Sequence, residues 1–586
     1  MKIIKRILLA LMPISLVIGC SDAFMDRPDL DNITADSYWK TPSDLNLFVI
    51  QFYTSFPGWQ NGSWNAGIYW NDDNSDNIIT SSINTRLAGR NTINSGTGNW
   101  DYGKIRSVNT FLEKYHKVEA DFSEISQYVG EGYFFRAYYY FNLVQSYGDV
   151  QWTSKTLTPD SEELYKTRSP RNVIIDSVLT DLDKAIEYMN SGENSNGNRL
   201  NKEIALLFKS RVALYEGTWE KYHQGTTFGV EGSDGTKYIK IAETTAKQLI
   251  DNPSGYGIQH TGKINEKYNF VEDYRLLFNQ TNYAGNKEVM LWREFSTDLN
   301  ITHNGQLYLA RVGAGDHGIS KELIDQYLCT DGKPIALSPK YKGDHGLTQT
   351  ATNRDPRLAS TIYLPEYPMI IETVLDTFKN SQLGASGETG CPTGYTIFKG
   401  SNHDLKHATT HGSGISSSPI FRFAEALLNY AEARAELGTI TQADIDITIN
   451  VLRDRVNMPH LNIASIESDP NWEFPNLSPI INEVRRERQV ELAAEGYRFD
   501  DLMRWQAADE LIVDKRMRGV YFMQSDFPDI VIGTDIIVDE NGYVDPHRGQ
   551  IPTGNKFNVK RDYLLPVPLN EITLNSKLTQ NPGWSK

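Results

Sequence analysis

Glu131–Val150 reads EGYFFRAYYYFNLVQSYGDV, and its spacing decides the fold class. Phe134, Tyr138, Phe141 and Val144 recur every three or four residues, the period of one helical face. An aromatic stripe at that spacing predicts a helix packed into a core rather than a ligand-binding face. Upstream, Ile105, Val108, Leu112 and Tyr115 keep the same period from Lys104 onward. Helices are also predicted over Pro170–Met189, Lys202–Tyr222 and Ile239–Ile250. After a long break they resume over Pro419–Leu437, Asp444–Val456, Pro479–Glu495 and Asp500–Ala508. Three of them open on Ser-Pro, at Ser169, Ser418 and Ser478. Serine can cap free amides, and proline suits a first helical position where its missing N–H costs nothing. Gly438 and Gly496 are expected to close two helices.

Between the helical blocks, residues 252–418 are broken by Gly, Pro and Asn with short strand-like pieces, and residues 21–100 read mostly as loop. Ile536–Val538 and Tyr543–Val544 flank Asn541-Gly542, a hairpin signal. The expected fold is mainly α: helical pairs with long irregular, loop-rich insertions and a few short strands. No strict 34-residue period runs through the chain. In such architectures the insertions usually carry the binding surface.

The chain has 586 residues, ample for a large core, with 11 Trp, 31 Tyr and 23 Phe. Its formal charge of −16 and the lack of a basic stripe argue against a nucleic-acid partner. Lys2, Lys5 and Arg6 precede the apolar run Ile7–Ile18, which is too short to span a bilayer. The run ends Leu16-Val17-Ile18-Gly19-Cys20, which resembles a bacterial lipobox. That resemblance implies a leader over residues 1–19, a diacylglyceryl group on the Cys20 sulfur and a soluble globule on a lipid tether. Two or more acyl chains hold a protein stably on a membrane. Loss of the leader's three cationic side chains takes the charge to −19. Cys329 and Cys391 remain, and whether they pair stays open.

Several segments resemble the SusD/RagB family of surface nutrient-binding lipoproteins. They are EGYFFRAYYYFNLVQSYGDV, the preceding NWDYGKIRSVNTFLE (99–113), KSRVALYEGTW within 202–219 and PIFRFAEALLNYAEARAELG (419–438). RRERQVELAAEGYRFDDLMRW (485–505) and the terminal YLLPVPLNEITLNSKLTQNPGW complete the set. The resemblance implies a tetratricopeptide-like scaffold. Residues 20–220 would form a SusD-like amino-terminal region, and 221–418 a helix followed by a loop- and strand-rich insertion. A RagB/SusD carboxy-terminal region would run over 280–586. It also implies an outer-membrane location facing the exterior, an oligosaccharide or peptide ligand, a SusC-like TonB-dependent transporter as partner, no cofactor and no catalysis.

Sugars present an apolar C–H face and a rim of hydroxyls, so a binder needs flat rings beside hydrogen-bonding side chains. The stretch 53–76 supplies both: Tyr53, Trp59, Trp64, Tyr69 and Trp70 lead into Asn71, Asp72, Asp73, Asn74 and Asp76. Trp64, Trp70, Asp72, Asp73 and Asn74 are the candidates there. Trp292, after the strand-like Glu288–Leu291, and Tyr308 are added from the insertion, with Arg311 as a weaker one. Trp39 and Trp100 are read as framework. Asp72-x-Asn74-x-Asp76 opens like a calcium loop, but Asn77 replaces the sixth-position Gly and Ile83 the twelfth-position Glu, which excludes an EF-hand. His403, His407 and His411 have i,i+4,i+8 spacing, yet KGSNHDLKHATTHGSG reads as a solvated loop. The charges from Arg485 to Arg498 read as a helix-surface ion-pair network. No G-x-x-x-x-G-K-[ST], G-x-S-x-G or H-E-x-x-H is present.

The leading reading is a non-catalytic glycan-binding lipoprotein. A surface glycoside hydrolase is the alternative from another class, and it needs two carboxylates ~5–5.5 Å or ~6.5–9.5 Å apart in one cleft. A peptide-binding member of the same family is the third.

Overall fold

The computed structural model describes residues 38–59, 67, 72–73, 75–96, 98–192, 198–265, 270–312, 315–371, 374–385, 387–408 and 410–585. Cys20, Trp64, Trp70 and Asn74 lie outside them.

Ten α-helices of seven residues or more stand among the described residues. They are α1 Pro42–Ile50, α2 Gly103–Lys114, α3 Phe122–Tyr147, α4 Arg171–Tyr188, α5 Lys202–Tyr222, α6 Thr236–Asp251, α7 Phe423–Glu436, α8 Ile449–Arg455, α9 Pro479–Glu491 and α10 Arg498–Arg504. The helix in Glu131–Val150 is the end of α3, which starts at a capping box between Asp121 and Glu124 and stops before Gly148 at φ +71°. Gly130 and Gly132 let neighbours press close: a Cβ at Gly130 would meet Met189 Cγ at 2.6 Å, and one at Gly132 the Phe111 ring at 2.8 Å. Arg136 then ties α3 to α4 through two bonds of 2.7 Å to Asp181. Each helix of the run α2–α6 packs on the next, and α7 joins α5, α6 and α9. Their apolar faces form one core, which includes Phe134, Phe135, Phe141, Phe208, Trp219, Leu428 and the framework Trp39 and Trp100.

Three departures from the predicted helices have identifiable physical causes. Ser418–Arg422 is a strand, not a helix start, because its alternating faces are buried against Val289–Arg293. The helix over 444–456 divides into Gln442–Asp446 and α8, since Thr448 leaves helical geometry (φ −127°, ψ −90°). The last long helix ends at Glu491, ahead of Ala494 in the left-handed region (φ +58°). In the stretch read as loop, α1 forms behind a Thr41–Asp44 capping box with Pro42 at its first turn. At Ser478-Pro479 the proline does occupy the first turn, but no serine side chain caps the amides. Gly438 (φ +68°) closes α7.

The insertion holds short helices, including Lys321–Gln326, Leu347–Ala351 and Pro356–Thr361, and strands that pair only in twos. In chain order the strands are β1 Ile78–Thr80, β2 Ile264–Asn265, β3 Phe270–Val271, β4 Val289–Arg293, β5 His317–Ile319, β6 Pro368–Ile371, β7 Val374–Thr377 and β8 Ser418–Arg422. Their antiparallel pairs are β1–β5, β2–β3, β4–β8 and β6–β7. A second core lies here, around Tyr274, Leu309, Tyr327, Tyr363 and Phe398. Cys329 and Cys391 are buried in this region as free thiols, so they do not pair. The turn at Asn541-Gly542 forms, with Val538 bridging Val544.

The charges of α9 are ion-paired, but inside the protein rather than on its surface. Glu491 is fully buried between Arg455 (2.6 Å), Arg422 (2.6 Å) and Arg357 (3.0 Å). Glu487 bridges Arg357 (2.7 Å) and Arg453 (2.9 Å), while Glu288 meets Arg455 and Arg422. Lys399 closes the group on Glu495 at 2.7 Å. Residues from β8, α8, α9, the insertion and Glu288 just before β4 thus meet in one network. Strand β4 carries side chains into both cores, Met290 and Leu291 into the first and Val289 into the second, so this network lies where the two cores join.

Candidate ligand site

Two stretches far apart in the chain, 57–80 and 292–319, are held against each other at their described residues. Strands β1 and β5 pair Ile78 with Ile319 and Thr80 with His317. Ser320 N–H donates to the Asn77 carbonyl at 2.9 Å, and the Ser320 hydroxyl donates to that of Asp76. Trp59 is fully buried and stacks on His303, with centroids 5.2 Å apart and planes at 17°. Its ring lies against Gly305, where a Cβ would fall 2.3 Å from Cε3. His303 donates from Nε2 to the Ser416 carbonyl (2.8 Å) and accepts the Gly305 N–H on Nδ1 (3.0 Å). Those bonds set a neutral tautomer, and burial pushes its pKa down to about 3. Gly58 lets Arg293 cross, since a Cβ there would sit 2.7 Å from its Cδ.

Among the sequence candidates, Asp73 and Trp292 keep access to solvent. The Asp73 carboxylate lies 3.7 Å from His317 Nε2. Trp292 is half-buried on β4, edge-on to Tyr283 at 6.1 Å. The Asn198 side chain clamps it, accepting the Trp292 N–H (3.0 Å) and donating to its carbonyl (2.6 Å). Asp72 and Tyr308 are corrected to framework positions. Asp72 is 0% exposed and accepts the Arg498 backbone N–H, while Tyr308 is 1% exposed in the second core. The side chain of Arg311 lies outside the described residues. Tyr53 is also framework, its hydroxyl accepting the Leu200 N–H at 3.0 Å.

His303, Asn198, His317 and Arg293 were missed, because each acquires its place from a segment distant in sequence. Arg293 is partly desolvated, which lowers its pKa, and it meets no carboxylate among the described residues. A half-buried guanidinium, a carboxylate and an indole on joined segments can give and take hydrogen bonds with a polyol and stack on its apolar face.

The calcium-like loop and the histidine cluster of the sequence reading are committed to structure, Asp76, His403 and His407 among them. Asp76 accepts two bonds from Arg498 (2.7 and 2.6 Å), so a guanidinium already neutralises the would-be calcium loop. His403 and His407 are not in a solvated loop: His407 is buried and His403 half-buried. Among the described residues no group of three His, Cys, Asp or Glu is placed to hold a metal. His403 Nε2 lies 2.8 Å from the Ser401 hydroxyl, the spacing of a nucleophile and its base. Arg275 opposes that role by donating to His403 Nδ1 at 3.2 Å, which leaves the proton on Nε2. Burial pushes this imidazole down to about 3, and Ser401 is wholly buried, so the pair is a structural hydrogen bond.

The architecture is that of a helical scaffold bearing a loop-rich insertion, with half-buried Trp292, Asp73 and Arg293 where insertion and amino-terminal segment join. A family model described as the SusD family matches residues 280–584, more than half of the chain, and the chain belongs to that family. A second, described as starch-binding associating with outer membrane, matches residues 31–214. A SusD-like protein of Formosa agariphila is 24% identical over 537 residues, 87% of this chain and 93% of its own. Among solved structures, a SusD-like protein of Bacteroides fragilis NCTC 9343 has a TM-score of 0.71 at 24% identity, covering 95% of this chain and all of its own. A SusD-like carbohydrate-binding protein from the same organism has a TM-score of 0.70 at 21% identity, covering 93% and 100%. A laminarin-binding SusD-like protein has a TM-score of 0.57 at 18% identity, covering 93% and 100%.

Proposed function

We propose that this protein is a non-catalytic, lipid-anchored surface receptor that captures an oligosaccharide and passes it to a SusC-like TonB-dependent outer-membrane transporter. Family membership carries the reading, supported by relatives described as binding carbohydrate and laminarin. The lipobox-like end at Cys20 supports the anchor. The ligand would sit where 57–80 meets 292–319, with Trp64, Trp70 and Trp292 as platforms and Asp73 and Asn74 as hydrogen-bonding partners.

A ring contact is worth about 0.5–1.5 kcal/mol, by analogy with aromatic pairs, whereas a micromolar site needs about 8 kcal/mol. Two or three platforms with several hydrogen bonds are therefore required. Isothermal titration of the mature protein against a glycan panel should find a ligand whose affinity falls in Trp64→Ala, Trp70→Ala and Trp292→Ala. Unchanged affinity in all three refutes the site, and release of shorter sugars refutes the non-catalytic reading. Mild detergent extraction should recover a TonB-dependent barrel with the protein; recovery of the lipoprotein alone counts against the transporter partnership.

A further inference from the structure

A cavity of about 740 Å³ opens on elements other than those of the candidate site, between Lys342, the helix Leu347–Ala351, Lys379 and the segment Met523–Asp526. Its size is that of a small-ligand site. The chain carries −16, yet this wall is cationic. Lys342 and Lys379 are both exposed in it, and among the described residues neither ammonium pairs with a carboxylate. The one acid in the lining, Asp526, accepts a bond from the Ser525 hydroxyl at 3.3 Å.

The cavity also has a built platform. The His345 imidazole lies flat on the Tyr521 ring, with centroids 3.8 Å apart and planes at 12°. Tyr521 is backed by Gly542, where a Cβ would fall 2.8 Å from the ring, and by the edge of Tyr543 at 5.6 Å. A backbone bridge joins Tyr521 to Tyr543, and the Tyr543 hydroxyl donates to Asp344 at 2.9 Å. His345 is therefore covered on one face and exposed on the other, at the cavity.

We propose that this cavity is a second saccharide site, specific for an anionic sugar. It rests on the glycan-binding reading above and adds the charge class of the ligand. The two ammonium groups donate charge-assisted hydrogen bonds to a uronate carboxylate or a sulfate ester, and the sugar's C–H face lies on His345. Asp526 accepts from a ring hydroxyl.

The test is calorimetric titration of the mature protein with tetragalacturonate, a sulfated galactan tetrasaccharide and the same tetrasaccharide without sulfate. At least one anionic probe should bind more tightly than the neutral one, and weaken in about 0.5 M salt. The Lys342→Ala/Lys379→Ala variant, altered only at exposed positions, should lose about tenfold or more for that probe, and His345→Ala should also weaken it. Which anionic probe responds tells carboxylate from sulfate recognition. Unchanged affinity in the double variant overturns the proposal, as does failure of both anionic probes to bind. If a neutral sugar binds and is lost in Trp64→Ala while the lysine variant binds every probe normally, glycan binding stands and this cavity falls.

Discussion

Replacing Glu491 with glutamine should cost about 3–5 kcal/mol of folding stability, the usual cost of breaking a buried ion pair from one side. Glu491 is 0% exposed, and its carboxylate meets Arg455 and Arg422 at 2.6 Å and Arg357 at 3.0 Å. Glutamine keeps the volume and one acceptor but removes the charge, and it turns an amide N–H₂ toward guanidinium groups. The loss stays well short of three separate pairs because each arginine keeps another acid. Glu288 remains on Arg455 and Arg422, and Asp355 and Glu487 remain on Arg357. Burial alone would raise the Glu491 pKa; the three guanidinium charges, Arg455 foremost, outweigh it and hold the carboxyl well below its ordinary range. A carboxylate with a depressed folded pKa contributes stability above its unfolded pKa, about 4.3, and loses it as pH falls through the folded value. Urea unfolding at pH 7 should therefore separate Glu491→Gln from the parent by the full amount, and the gap should narrow below about pH 4. Leu428→Ala, in the helical core, is the reference at about 2–5 kcal/mol. A loss below about 1 kcal/mol for Glu491→Gln beside a normal Leu428→Ala loss would refute the reasoning.

Asp72 gives the opposite pH dependence. Burial pushes its pKa up to about 7, so the folded state resists ionising it. Asp72→Asn should be more stable than the parent at pH 8 and equal to it below pH 4, as thermal melts across that range will show. Gly305→Ala forces a methyl into the Trp59 ring and should cost about 1–3 kcal/mol, with a changed near-ultraviolet tryptophan signal. Thiol titration of the mature protein should find Cys329 and Cys391 unreactive when folded and both reactive in denaturant.

Sequence reading succeeded where the signal is local. The helix expected from Lys202 to about Tyr222 forms over those residues because its period lies within the segment, and Asn201 caps it by accepting the Ile204 N–H. It failed at Ser418-Pro419, where a good local helix start is overruled by a strand partner at Val289–Arg293. The capping box at Thr41 and Asp44 was there to be read, but one short helix in Asn- and Asp-rich text carries little periodic signal. Among the candidate residues, Asp72 and Tyr308 looked exposed because Asp and Tyr often are. Their burial is set by Arg498 and by the second core, neither of which has a local signature.

The charged stretch from Arg485 to Arg498 is committed to holding the scaffold together and to placing the segment that carries Asp73. Its helix carries Glu487 and Glu491 into the network that joins the two cores, and Arg498 continues the same construction. From α10 its side chain holds Asp76, and its backbone N–H holds Asp72, just before β1 pairs with β5. The segment on which Asp73 stands is thus fixed at Asp72, Asp76 and β1 by groups that belong to the scaffold. Glu473 shares the Arg498 guanidinium at 2.9 Å, so the cation faces two acids and each acid needs it. Buried charges at that position cost desolvation that apolar packing would avoid. Their use here makes sense as placement: the Arg498 bonds to Asp72 and Asp76 fix where Asp73 and β1 lie.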